Sequence, residues 1–253
     1  MQKYKAIIAD IDGTLTVSSL NALPSQKVKD AIRQATEKGV LFSVASARPY
    51  NLLSFLIDDV PLRSPIIINN GAEIYDTRIK KPIWESTIPF ETAQKILEIA
   101  KQYKSYHLDL AREELISSSS ITKDTKVFKF VIFGLTNDEV EHLITSTQKD
   151  FPMVNCSKGG SYMGKGFFDV YIANSDATKQ HAVLKFAELL NISTQEIIGI
   201  GDHYNDFPLL MACGLKVAMG NAVDDLKAIA DYIAPNVEED GVADVIQKFV
   251  LNE

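Results

Sequence analysis

Tyr4-Lys5-Ala6-Ile7-Ile8-Ala9-Asp10-Ile11-Asp12-Gly13-Thr14-Leu15 runs from an apolar segment straight into a pair of acids. Residues 4–9 predict a short buried strand, and Asp10 stands at its end. In extended backbone, side chains two apart point to the same side, so Asp10 and Asp12 can face one reacting centre. One carboxylate can attack as a nucleophile while the other handles a proton. Two carboxylates that close repel unless a cation such as Mg2+ lies beside them. The competing reading is a calcium-loop fragment. The segment lacks the later ligands and terminal Glu of an EF-hand, and it follows a strand rather than a helix.

Working outward, strand and helix alternate. From Ser25 to Lys38 the apolar positions Val28, Ala31, Ile32 and Ala35 recur at helical spacing, with Ser25 placed to cap the start and Gly39 to end it. Val40–Ala45 reads as a second strand, 50–58 as a helix and Pro65–Asn69 as a third strand. The same rhythm returns after 175: a helix near 177–190, a strand at Ile197–Gly201, a helix from about 205, strands near 215–218 and 231–233, and a last helix at 240–250. Such repetition implies parallel strands with right-handed crossovers. Between these halves, helices at 91–104 and 137–149 are separated by strand patterns at 105–110, 113–118, 127–134, 153–157 and 167–173. Consecutive strands between few helices predict an α+β unit with an antiparallel sheet. The expected organisation is an α/β core of residues 1–82 and 175–253, interrupted by an α+β module at 83–174.

Composition narrows the function classes. The chain has 253 residues, 46% hydrophobic and 23% charged, which is normal for a folded globular protein. Its net charge is −7. Residues 83–174 carry 10 Lys+Arg against 12 Asp+Glu and the remainder 16 against 21, so neither part is basic. Broad attraction to nucleic acid or anionic membrane is therefore not expected, and an anionic ligand needs a local site. The longest apolar runs, such as Ile66-Ile67-Ile68, fall far short of a membrane span. The N-terminal residues are not expected to form a signal peptide, and Cys156 and Cys213 offer neither a disulfide framework nor metal-ligand spacing. A cytoplasmic location is expected.

Ligands of open parallel sheets gather at the carboxyl ends of the strands. Reading those ends in order gives Asp10 and Asp12, then Ser46 and Ala47, then Asn69-Asn70-Gly71, and finally Gly201-Asp202 with Asn205-Asp206. The Ser46 hydroxyl and Ala47 amide can together hold an anion, although either reads equally as part of an ordinary turn. Lys179 opens a helix, where its charge opposes the dipole; taken alone it reads as a surface lysine. Asn205 and Asp206 also suit the capping of the next helix.

Taken together, these residues resemble the haloacid dehalogenase superfamily, and within it the Cof-type phosphatases with a large α+β (type IIB) cap inserted after the third strand. Asp10-Ile11-Asp12-Gly13-Thr14 resembles the first motif and Ser46-Ala47-Arg48-Pro49 the second, where Thr-Gly-Arg is usual. Lys179 matches the third and Gly201-Asp202-His203-Tyr204-Asn205-Asp206 the fourth. Asn70-Gly71-Ala72, Met219-Gly220-Asn221-Ala222 and Asp240-Gly241-Val242 are similar to further signatures. Ser46 keeps the hydroxyl of the usual Thr and Ala47 keeps the amide of the usual Gly. Gln180 stands where a glycine often follows the lysine.

The resemblance implies a Rossmann-like core with an inserted cap, and a Mg2+-dependent phosphatase of a small phosphorylated metabolite, such as a sugar phosphate. It implies that Asp10 attacks phosphorus, that Asp12 protonates the leaving oxygen and then activates water, and that Mg2+ is held by Asp10, the Asp12 carbonyl and Asp202 with Asp206 in support. Ser46, Ala47, Lys179 and Asn205 would hold the phosphoryl oxygens. Two other functions stay open: a sugar phosphomutase, since phosphomannomutases carry similar caps, and a phospho-acceptor or Mg2+-binding regulatory module. The glycine-rich segment 158–166 is expected to be a loop and a candidate to meet substrate.

Overall fold

The structure, a computed structural model, describes residues 2–19, 21–110, 120–161 and 163–252. It divides into two compact units, Met1–Glu85 with Thr178–Glu253, and Ser86–Ala177.

The first unit begins with β1 (Ala6–Ala9), α1 (Gln26–Glu37), β2 (Leu41–Val44), α2 (Ser54–Asp59), β3 (Ile66–Ile68), β4 (Glu73–Asp76) and β5 (Lys81–Glu85). Ser25 caps α1 by accepting a hydrogen bond from the Val28 amide, and the helix buries Val28, Ala31, Ile32 and Ala35. That is the face its apolar spacing presents. β4 and β5 have no counterpart in the sequence reading. Both are short, β4 carries buried Glu73 and Asp76, and β5 contains Pro82, so neither shows an apolar strand pattern. β4 pairs antiparallel with β3 and β5 antiparallel with β4, while β3 meets the end of β2 through a parallel bridge between Ala45 and Ile67.

The second unit holds α3 (Phe90–Ala100), β6 (Tyr106–Leu110), β7 (Val127–Leu135), α4 (Asn137–Asp150), β8 (Val154–Gly160) and β9 (Phe168–Asn174). Its sheet is antiparallel, in the order β6-β7-β9-β8. Ile96 and Leu97 of α3 and Val140 and Leu143 of α4 pack on Phe130, Ile132, Val170 and Ile172. Part of the segment 158–166, expected to be a loop, is strand. Lys158, Gly159 and Gly160 are not loop but the end of β8, paired with Val170, Asp169 and Phe168. A cross-strand ladder satisfies their backbone groups whatever their side chains, which local glycine content does not reveal. The strand pattern at 113–118 lies outside the described residues.

The chain then returns through α5 (Lys179–Leu190), β10 (Ile197–Gly201), α6 (Phe207–Ala212), β11 (Leu215–Ala218), α7 (Asp224–Ile229), β12 (Tyr232–Ile233) and α8 (Gly241–Ile246), which widens into a π turn at Gln247–Leu251. The main sheet runs β12-β11-β10-β1-β2, with every pair parallel. β1 and β10 are buried throughout, as a sheet covered on both faces requires. Because β10 inserts beside β1, the residues following Ala9 and Gly201 emerge side by side at the sheet's carboxyl edge. Among the described residues no helix is long and apolar enough to cross a membrane.

Candidate active site

At that edge the Asp10 amide donates to the Ile200 carbonyl at 2.9 Å, which carries the β1–β10 ladder to the first acid. The chain then folds back on itself: the Leu15 amide donates to the Ile11 carbonyl at 3.0 Å and the Gly13 amide to the Thr16 carbonyl at 2.7 Å. Gly13 has φ of +86°, and a Cβ there would lie 2.4 Å from an Asp202 carboxylate oxygen, so only glycine lets the two loops approach. One contact fastens them, and a second straps the first loop to the segment at Val237. The Thr14 hydroxyl donates to Asp202 Oδ1 at 2.8 Å. Asn221 Nδ2 donates to the Gly13 carbonyl at 2.8 Å, while Asn221 Oδ1 accepts from the Val237 amide.

Lys179 is fully buried at the start of α5. Its ammonium donates to Asp10 Oδ1 at 2.5 Å and to Asp206 Oδ1 at 2.6 Å. The other Asp206 oxygen accepts from the Asp202 and His203 amides at 3.0 and 3.1 Å. A lysine read in isolation as a surface residue is thus the central cation of a buried charge cluster. Gly71 permits this placement: its φ is +97°, and a Cβ would come within 2.2 Å of the Thr178 carbonyl.

Burial dominates the electrostatics. It pushes the Asp10 carboxyl up to about 7, with Lys179 pulling it down and Asp206 and Asp202 adding to the rise. Asp202 is also raised, by burial first, against the pull of the Thr14 hydrogen bond. For Lys179, burial acts against the charge, but the two carboxylates together outweigh it and hold the ammonium above its ordinary value. The same neighbourhood suits a metal. Asp10, Asp202 and Asp206 each offer an oxygen, all within 4.8 Å of one another. Three hard anionic donors around one small volume fit a divalent cation, which would lower the cost of keeping them ionised.

Asp10, Asp12, Ser18, Ala47, Asp202, His203 and Asn205 line one cavity of about 230 Å3. Five sequence-derived residues therefore meet at its wall, and Lys179 and Asp206 are joined to Asp10 by the hydrogen bonds above. Ser46 is buried, its hydroxyl accepting from the Arg48 amide at 3.1 Å, and its carbonyl accepts from the Asn70 amide. Arg48, whose motif by itself implies no role for it, also reaches this wall through Asp12. Its guanidinium grips Asp12 at both carboxylate oxygens. A basic residue just past a strand end was the available signal. Asn221 likewise stands in a motif, but its strap between two loops is a long-range contact that no local pattern carries. Cys156 and Cys213 are both buried, and burial pushes their thiols up, so neither is a reactive nucleophile.

The model of the haloacid dehalogenase-like hydrolases matches residues 7–116 and 105–246. A 5-amino-6-(5-phospho-D-ribitylamino)uracil phosphatase of Bacillus subtilis is 25% identical, over 98% of this chain and 96% of its own. Phosphoglycolate phosphatase 1 of Saccharolobus solfataricus is 25% identical, over 98% and 97%. In fold, the chain is similar to a phosphatase of the haloalkanoate superfamily from Bacteroides thetaiotaomicron, with a TM-score of 0.81, 22% identity, and 97% of this chain and 95% of the other covered. With acids, lysine and glycines standing at the strand ends as described, the chain belongs to the family of haloacid dehalogenase-like hydrolases.

Proposed function

We propose that this protein is a Mg2+-dependent phosphatase of small phosphomonoesters that works through an aspartyl-phosphate on Asp10. The observation that carries the reading is the buried Asp10 carboxylate, bonded to Lys179 at 2.5 Å and facing a small cavity with Asp12 on the same loop. Phosphoryl transfer asks for in-line positioning and positive charge around the equatorial oxygens, with little other chemistry from the protein. Its relatives are named as phosphatases of chemically different phosphomonoesters. Their shared demand is the phosphoryl group, and a phosphorylated sugar or similar metabolite is the substrate class proposed here.

An Asp10 oxygen attacks phosphorus as the bond to the leaving oxygen breaks, and Asp12 gives that oxygen its proton. Asp12 then takes a proton from water, whose oxygen attacks phosphorus, releasing phosphate and restoring the Asp10 carboxylate. Lys179, the Ala47 amide, the Ser46 hydroxyl and Asn205 hold the phosphoryl oxygens. Asp10, the Asp12 carbonyl and Asp202 would hold Mg2+, and Asp206 fixes Lys179 and the Asp202 backbone. When bound, Mg2+ supplies the charge that lets an anionic nucleophile approach an anionic ester.

Phosphate release from a panel of sugar phosphates, phosphoglycolate and pyridoxal phosphate, with mass-spectrometric trapping of phosphate on Asp10, tests this. Multiple turnovers with release support it. Isomerised sugar phosphate without release would assign a mutase instead, and a single stable phosphorylation would assign a regulatory module.

A further inference from the structure

We infer that Arg48 is the positioning residue that aims Asp12. The inference rests on the reading above, in which Asp12 exchanges protons with the leaving oxygen and with water. Arg48 Nε donates to Asp12 Oδ2 at 2.9 Å, and a terminal nitrogen of the same guanidinium donates to Asp12 Oδ1. A carboxylate has about four lone-pair sites, and a side-on fork uses one on each oxygen. The fork therefore fixes the plane of the carboxylate while leaving a site on each oxygen for the reacting atoms.

Arg48 is itself held at several points. Its amide donates to Ser46 Oγ at 3.1 Å, its carbonyl accepts from the Asn69 amide at 3.0 Å, and its guanidinium also donates to the Ser19 carbonyl at 3.1 Å. Its side chain is largely buried, whereas that of Asp12 is 36% exposed. A partly exposed aspartate on a loop would otherwise sample several rotamers, and a rigid neighbour removes that freedom. Proton transfer in the transition state depends steeply on aim, so the orientation has kinetic weight. Arg48 thus ties the loop after β1 to the segment after β2, and its cargo is the direction of one side chain.

The test compares two esters that differ in leaving group, p-nitrophenyl phosphate and phenyl phosphate. The first leaves well without a proton; the second needs one more. kcat/KM reports the step in which the leaving group departs. Arg48→Gln should lose about tenfold more on phenyl phosphate than on p-nitrophenyl phosphate, within the ~10²–10⁴-fold that general acid catalysis supplies. Arg48→Lys keeps charge but not the fork, and should fall between. In an Asp12→Asn background, Arg48→Gln should leave the ratio unchanged, because its route to the chemistry is already gone. Equal losses on both esters, in a protein that still turns over both, would overturn the role of Arg48 while sparing the hydrolase reading. So would a further change of ratio on top of Asp12→Asn. A wild-type protein that releases phosphate from neither ester, nor from any sugar phosphate, phosphoglycolate or pyridoxal phosphate, would overturn both. If Arg48→Gln does not fold, Arg48→Lys carries the same comparison.

Discussion

Asp10 and Lys179 show how much one residue's surroundings alter its chemistry. Asp10→Asn keeps shape but removes the proposed nucleophile, so turnover should vanish while the fold survives; a rate near wild type would exclude Asp10 as nucleophile. The same variant has a pH signature. In the folded chain the Asp10 carboxyl rises from 3.8 to about 7 through burial, so the folded state holds this proton more tightly than the unfolded state. With metal chelated, this group makes stability fall as pH climbs from near 3.8 to about 7. Asp10→Asn should flatten that slope, as read by urea unfolding across the range. An unchanged slope would mean that the burial penalty is met elsewhere. Lys179→Ala leaves Asp10 and Asp206 facing each other without their shared cation. Removing one partner of a buried ion pair typically costs about 3–5 kcal/mol, so both stability and kcat/KM should drop. An unaltered kcat/KM would remove Lys179 from the site. The residue types were legible from the sequence; their burial was not, since it comes from segments 169 positions apart in the chain.

At the scale of elements, the turn after β3 sets the start of α5. Asn69, Asn70 and Gly71 all have positive φ, and Gly71 packs against the Thr178 and Lys179 backbone. Gly71→Ala would force a methyl into that backbone. Overpacking of this kind costs about 1–3 kcal/mol, and here the adjustment falls on the residue that carries the ammonium. A lowered melting temperature together with a lowered kcat/KM is expected; loss of stability with kcat/KM intact would show that Lys179 is placed independently of this turn. The helices and inner strands could be read from period and capping because these are local. β4, β5 and the outer half of β8 could not, since their stability comes from ladder partners rather than from their own apolar pattern.

Across the molecule, the proposed cation site joins distant parts of one unit, Asp10 after β1 with Asp202 and Asp206 after β10. A ligand that binds only the folded state adds about 2.7 kcal/mol at one hundred times its Kd. Mg2+ should therefore raise the melting temperature of the wild type and raise that of Asp202→Asn much less, and EDTA should abolish turnover. An equal rise in both proteins would place the binding elsewhere. The alternation of strand and helix, the α+β insertion and the acids waiting at strand ends all follow from sequence alone, because side-chain period and turn chemistry are properties of neighbouring residues. What tertiary structure decided is which of those residues touch. β10 lies beside β1 although a whole inserted unit separates them in the chain. That sheet order drives Lys179 between two carboxylates and lays Asn221 across the Gly13 carbonyl, and β2 on the other side of β1 closes Arg48 on Asp12. Contacts of this kind depend on the free energy of the whole packed sheet, and no local stretch of sequence encodes them.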